Sequence, residues 1–237
     1  MRFKEISDDS LYLNLIEEMG LDLLQKTLFV SLNYEVLLEM AIRKKGYRAH
    51  AGTGNLDSFN DLQAGLPEIP IIKPHGSCHY RVQMNVIAVG CGRIAVCDPS
   101  SNMTLGPTAS EDPLRIDEKM KDFHTSIPSV ISAFNPEKSS SFNREFIESS
   151  RNLLLARMEH CKTIALIGVN FRPHDHFINE LVKTGLEVGA SIGFVGDQGA
   201  FNDYCALASV PGINHIYLGT TFRGGFVSLT KFLKGSS

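Results

Sequence analysis

IALIGVNFRPHD, residues 164–175, runs from four apolar residues through Gly168 to Asn170, then into a proline-containing turn that ends at Asp175. Short, fully apolar runs of this kind read as buried strands of a parallel sheet. Working outward, LFVSLNYEVLLE at 28–39 and IPIIKPHGS at 69–77 repeat the arrangement, the first stopping at Asn33 and the second at His75. Ligands of open parallel α/β sheets bind beyond the carboxyl ends of the strands, so all three tracts stop where chemistry would sit.

The segments between them keep the same rhythm. The pattern predicts a helix over 142–160, a strand over 163–168, a helix over 176–187, a strand over 191–195, a helix near 200–208, a strand over 215–218 and a helix over 222–233. Residues 9–25 carry a helical stripe of Leu11, Leu15, Ile16, Met19 and Leu23, with Asp8 to Ser10 as candidate caps. Phe29 to Leu32 reads as a buried strand. The helix from about Tyr34 has Arg43, Lys44 and Lys45 in its last turn and Gly46 as a left-handed stop. Ile69 to Ile72 reads as a central parallel strand. Tyr80 to Val89 and Arg93 to Val96 flank Gly90–Cys91–Gly92 as a hairpin, while 48–66 and 98–141 read as loops. Alternation at this spacing predicts an α/β fold: a Rossmann-like parallel sheet with helices on both faces. The expected organisation is a single domain over 1–237, with residues 80–160 forming a small irregular lobe.

Hydrophobic residues make up 43% of the 237 and charged residues 21%, a balance that supplies a core. A formal net charge of −3 without any Lys/Arg-rich run argues against nucleic acid as a partner. Segment 1–8 is polar, unlike a signal peptide, and no apolar run reaches the ~18 residues of a membrane span. The expectation is therefore a cytoplasmic protein with no membrane partner. Five cysteines, Cys78, Cys91, Cys97, Cys161 and Cys205, include no C-x-x-C pair, so neither a disulfide framework nor a structural zinc site is expected.

Each candidate residue has two readings. Asn33 is either the N-cap of the following helix or an amide that holds a ribose hydroxyl or a water. His75, between Pro74 and Gly76, is either structural or a proton acceptor suited to neutral pH. Asp175 is a cap or a ligand contact. Asp197, after Val195–Gly196, is a turn residue or the carboxylate that holds a ribose. His174 and His176 diverge at a helix start, without a carboxylate cluster, and no metal is expected there.

Together these tracts resemble SIR2-like (sirtuin-related) proteins of the bacterial antiphage-defence NADase type. SLNYEVLLE is similar to that family's T-x-N-Y-D-x-x-x-E stretch and PHGS to its L-H-G-S segment. AFNPEKSS at 133–140 is similar to its P-x-x-x-K loop, and IALIGVNFRPHDHFINELV at 164–182 to its I-I-G-Y-S segment and following helix. The resemblance implies hydrolysis of the nicotinamide–ribose bond of NAD, with Asn33 and His75 as catalytic residues. Gly76, Ser77, Gly168, Asn170 and Asp175 would line the dinucleotide, joined by Asp197 on the strength of its strand-end position, with Asn170 standing for the usual Ser and Glu35 for the usual Asp. The paired-cysteine zinc module of the deacylating branch is missing.

Residues 1–27 contain only Gly20 where the family carries a strand and a G-A-G-x-S loop. The resemblance thus implies a fragment of a defence effector, or a variant without that loop, and weak NAD binding. It also implies an open sheet edge beside 28–32, where a protein partner, a second copy of the chain or residues 1–8 would pair. The alternative is a catalytically inactive SIR2-like scaffold.

Overall fold

The computed structural model describes residues 6–33, 35–50, 65–81, 85–89, 92–96, 106–107, 129–131, 144–171, 175–207 and 215–235. In chain order the first elements are α1 (Leu11–Leu24), β1 (Phe29–Val30), α2 (Leu37–Lys44), β2 (Arg48–His50), β3 (Glu68–Ile72) and β4 (Gly76–Arg81). Next come β5 (Asn85–Val89), β6 (Gly92–Val96), β7 (Gly106–Pro107), β8 (Ser129–Ile131), α3 (Arg144–Met158) and β9 (Thr163–Ile167). The series ends with α4 (His176–Glu187), β10 (Ser191–Val195), α5 (Gln198–Leu207), β11 (His215–Gly219) and α6 (Phe222–Leu233). The fold is α/β and Rossmann-like, with two three-stranded parallel sheets, β1-β3-β2 and β11-β10-β9. These belong to two compact units, residues 1–8 with 25–150, and residues 9–24 with 151–237.

In the first unit β3 is central, as its apolar sequence predicts, and Ile69, Ile71 and Ile72 are buried. Strand β1 is shorter than expected and half-buried rather than buried, although Ser31 N still donates to Ile72 O at 3.0 Å. The segment expected to open a loop at 48 instead pairs with β3. Arg48 lies opposite Glu68 and forms an ion pair with it. Helix α2 starts at Leu37 with Val36 at the cap position, and Gly46 ends it at φ 81, with Gly46 N on Arg43 O and Tyr47 N on Ile42 O. Strands β5 and β6 form the expected hairpin, and β4 pairs antiparallel with both β7 and β8. Most of 98–141, including AFNPEKSS, lies outside the described residues.

The second unit explains its own layering. Crossovers β9–α4–β10 and β10–α5–β11 step in one direction, and right-handed connections then set α4 and α5 on the same face. Phe194 of β10 meets Phe201 and Tyr204 of α5 on that face. Gly185 of α4 lies against Ile164, the register partner of Ile192. Alternation turns Gly193 the other way, where an added Cβ would come within 2.7 Å of Phe232 on α6. Helix α1 joins α6 through an edge-on Tyr12–Phe222 contact and a Lys234–Glu18 bond of 3.0 Å. The α1 stripe buries Leu13, Leu15, Ile16, Met19 and Leu24, whereas Leu11 and Leu23 stay partly exposed and Gly20, at φ 68, kinks the helix. Asp8, one of the candidate caps, has a partner on another helix. Its carboxylate, in the first unit, accepts from Lys44 at 2.6 Å.

One close approach fixes α6 against the sheet. Gly219 has φ 152, and a Cβ there would lie 2.7 Å from the Cα of Gly225, a backbone atom unable to swing aside. Gly219→Ala is expected to cost about 3 kcal/mol, the upper end for overpacking. At Gly46 a Cβ would meet open space, so Gly46→Ala should cost only about 1 kcal/mol through its positive φ. Urea denaturation of both variants checks the contrast, and equal losses would contradict the close approach.

Candidate functional site

Neighbouring parallel strands β1 and β3 set the geometry of the first unit. Val30 pairs with Ile72, and Asn33 and His75 each stand three residues beyond that pair, at the same carboxyl edge. Asn33 is exposed, and its Nδ2 donates to Glu35 Oε1 at 3.1 Å. Because α2 begins at Leu37, Asn33 is not its N-cap, and that reading is corrected. His75 is 3% exposed and sits in a tight turn closed by Gly76 N donating to Lys73 O at 2.9 Å. Pro74 pre-sets the turn's second position and Gly76 takes φ 85 at its fourth. Gly76 and Ser77 then open β4, paired with Ile131 and Val130.

Between these strand ends lies a charged pair that reading the sequence missed. Lys73 is 1% exposed, with Nζ 2.6 Å from Glu39 Oε1, and it also donates to the carbonyl oxygen of Glu35. Glu39 comes from the inner face of α2, beside the buried Leu38, Ala41 and Ile42. Burial pushes its carboxyl above the ordinary 4.5, against the opposing pull of Lys73. Glu39 Oε2 is buried without a hydrogen-bond partner among the described residues. A signal was there: Glu39 interrupts an apolar helix face, and Lys73 directly follows a buried strand.

The remaining candidates sit in the second unit, at the carboxyl edge of its own sheet. Gly168 has φ 63 and donates to Val195 O at 2.8 Å, with open space where a Cβ would lie. Asn170 is exposed. Asp175 occupies the N-cap position of α4, but its side chain makes no capping bond. Asp197 does cap: its Oδ1 accepts from Gly199 N at 2.7 Å and Ala200 N at 3.4 Å at the start of α5. So Asn33, His75, Gly76 and Ser77 gather in one unit, and Gly168, Asn170, Asp175 and Asp197 in the other. His174 lies outside the described residues.

No protein-family model matches the sequence, and no curated protein matches it. Among the described residues no three His, Cys, Asp or Glu side chains are grouped to hold a metal ion. No helix among them is long and apolar enough to cross a membrane. Burial pushes the thiols of Cys161 and Cys205 up, which leaves neither primed as a thiolate nucleophile.

A second titratable pair lies at the amino end of β11. The Tyr204 hydroxyl is 2.6 Å from His215 Nδ1. Burial raises the phenol and lowers the imidazole, so the bond joins a neutral hydroxyl and a neutral ring. A depressed native pKa means that the unfolded chain binds the proton first, below its ordinary 6.5. Stability from this pair is present above 6.5 and is lost as pH falls through the lower native value. Urea midpoints taken between about pH 7.5 and 5 should fall on acidification, and less steeply in His215→Phe. An identical slope in that variant would remove His215 from the account.

Proposed function

We propose that this chain is a SIR2-like NAD-binding module that hydrolyses the nicotinamide–ribose bond of NAD, as a fragment or subunit of a cytoplasmic antiphage-defence effector. The observation that supports it most is the adjacency of β1 and β3, which puts Asn33 and His75 equally far past a paired position on one edge. In this reading water adds to the ribose carbon as nicotinamide leaves. The Asn33 amide holds the water or a ribose hydroxyl, and His75 accepts the proton released. Gly76, Ser77, Gly168, Asn170, Asp175 and Asp197 would lie along the dinucleotide. Asp197 could do so only through what its helix-capping oxygen leaves over.

One observation favours a second reading, a catalytically inactive scaffold that engages a partner or another copy at its sheet edge: His75 is only 3% exposed. Incubating the purified chain with NAD and separating the products decides between them. The NADase reading expects nicotinamide and ADP-ribose in equal amounts, slowed in His75→Ala by about 10²–10⁴, the usual share of a general base. No release and no NAD binding would leave the scaffold. Undiminished release by His75→Ala would remove His75 from the mechanism.

A further inference from the structure

We infer that Lys73, held by Glu39, is the positioning residue of the first unit's strand-end site. This deepens the functional reading above and rests on it for the word "site", though not for the geometry. Lys73 is bonded to both catalytic candidates' segments at once. Its carbonyl oxygen accepts from Gly76 N at 2.9 Å and so closes the turn that carries His75. Its ammonium donates to the carbonyl oxygen of Glu35, whose own carboxylate accepts from the Asn33 amide at 3.1 Å.

Glu39 supplies a counter-charge that holds the ammonium in place. A buried cation without a counter-charge would neutralise or pull toward water. The Glu39 carboxylate, 2.6 Å from Nζ and 7% exposed, anchors the lysine to α2. The ammonium thereby ties together three elements of the unit: the end of β3, the segment between β1 and α2, and α2 itself. Backbone pairing joins the two strands at Ser31 N to Ile72 O, two residues before Asn33. Beyond it, the Lys73 ammonium adds a side-chain tie to the carbonyl oxygen of Glu35.

The test separates positioning from stability. In Lys73→Met/Glu39→Leu both charges go and an apolar pair of similar bulk remains, a change that often leaves stability near its starting value. Amide hydrogen exchange is then followed at residues 31–36 and at 73–76. Positioning by Lys73 expects exchange at 31–36 to rise by about tenfold or more, the loss that a charge-assisted hydrogen bond implies, while the core of β3 keeps its protection. Unchanged exchange at 31–36 in the folded double variant would overturn the inference. Should that variant fail to fold, Glu39→Gln keeps an acceptor for Lys73 but drops the counter-charge, and the same rise is expected. Its absence there is equally fatal. With NAD, the variants should lose turnover rate far more than substrate saturation. If the parent chain releases no nicotinamide, the NADase reading fails by itself and the exchange result still decides the role of Lys73.

Discussion

Lys73→Met alone should destabilise the protein by about 3–5 kcal/mol, as should Glu39→Leu alone, while the two together cost far less than either. The side chains are 0% and 7% exposed and 2.6 Å apart. Removing one partner strands the other's charge where water cannot reach it, and that desolvation penalty is the main part of the loss. Removing both abolishes the penalty together with the attraction. Urea denaturation of the parent, both single variants and the double variant measures the coupling. Single losses below about 1 kcal/mol would mean that solvent reaches the pair after all, as it does for surface ion pairs.

Phe194→Ala should cost about 3–5 kcal/mol as well, for an apolar reason. Phe194 is 0% exposed and sits at the centre of an aromatic cluster. Tyr204 stacks on it with ring centroids 5.9 Å apart, Phe201 lies at 5.5 Å and Phe171 at 6.3 Å. These rings come from α5, β10 and the segment that follows β9, so no single segment can collapse into the gap. Val227 on α6, 64% exposed, supplies the control, since Val227→Ala should stay within about 0.5 kcal/mol. A Phe194→Ala loss as small as the control's would show that the cluster is not the core of its unit.

Elements whose sequence carries both a period and a stop were legible. Helices α4 and α6 and strand β10 lie where the pattern sets them, at 176–187, 222–233 and 191–195. Gly46 terminates α2 as its position after three basic residues predicts. Strand β2 escaped because Arg48–Ala49–His50 has no strand character of its own. It is extended because β3 offers it a partner and Glu68 offers Arg48 a charge. The start of α2 was misplaced for a related reason: Asn33 is an excellent capping residue by type, and nothing local reveals that the chain runs on to Val36 first. At the candidate site, strand-end logic found Asn33 and His75 because it depends on apolar runs stopping. It passed over Lys73 and Glu39 because Lys and Glu are surface residues by default, and only the pairing of two distant segments makes their burial tolerable.

Helix α1 belongs with residues 151–237, and its Glu18 meets Lys234 at a separation of 216 positions. During synthesis at about 5–20 residues per second, the face that α1 buries would wait on the order of 10–40 s for α6 to be made. Strands β1 to β3 can pair in that interval, so the first unit can form before the helix ahead of it has anywhere to go. The closure of α1 onto α6 would thus follow the first unit's formation, as a contact of very high order and correspondingly slow. A nascent chain stalled before residue 222 should hold an unsheltered amphipathic helix, the kind of surface that holdase chaperones capture.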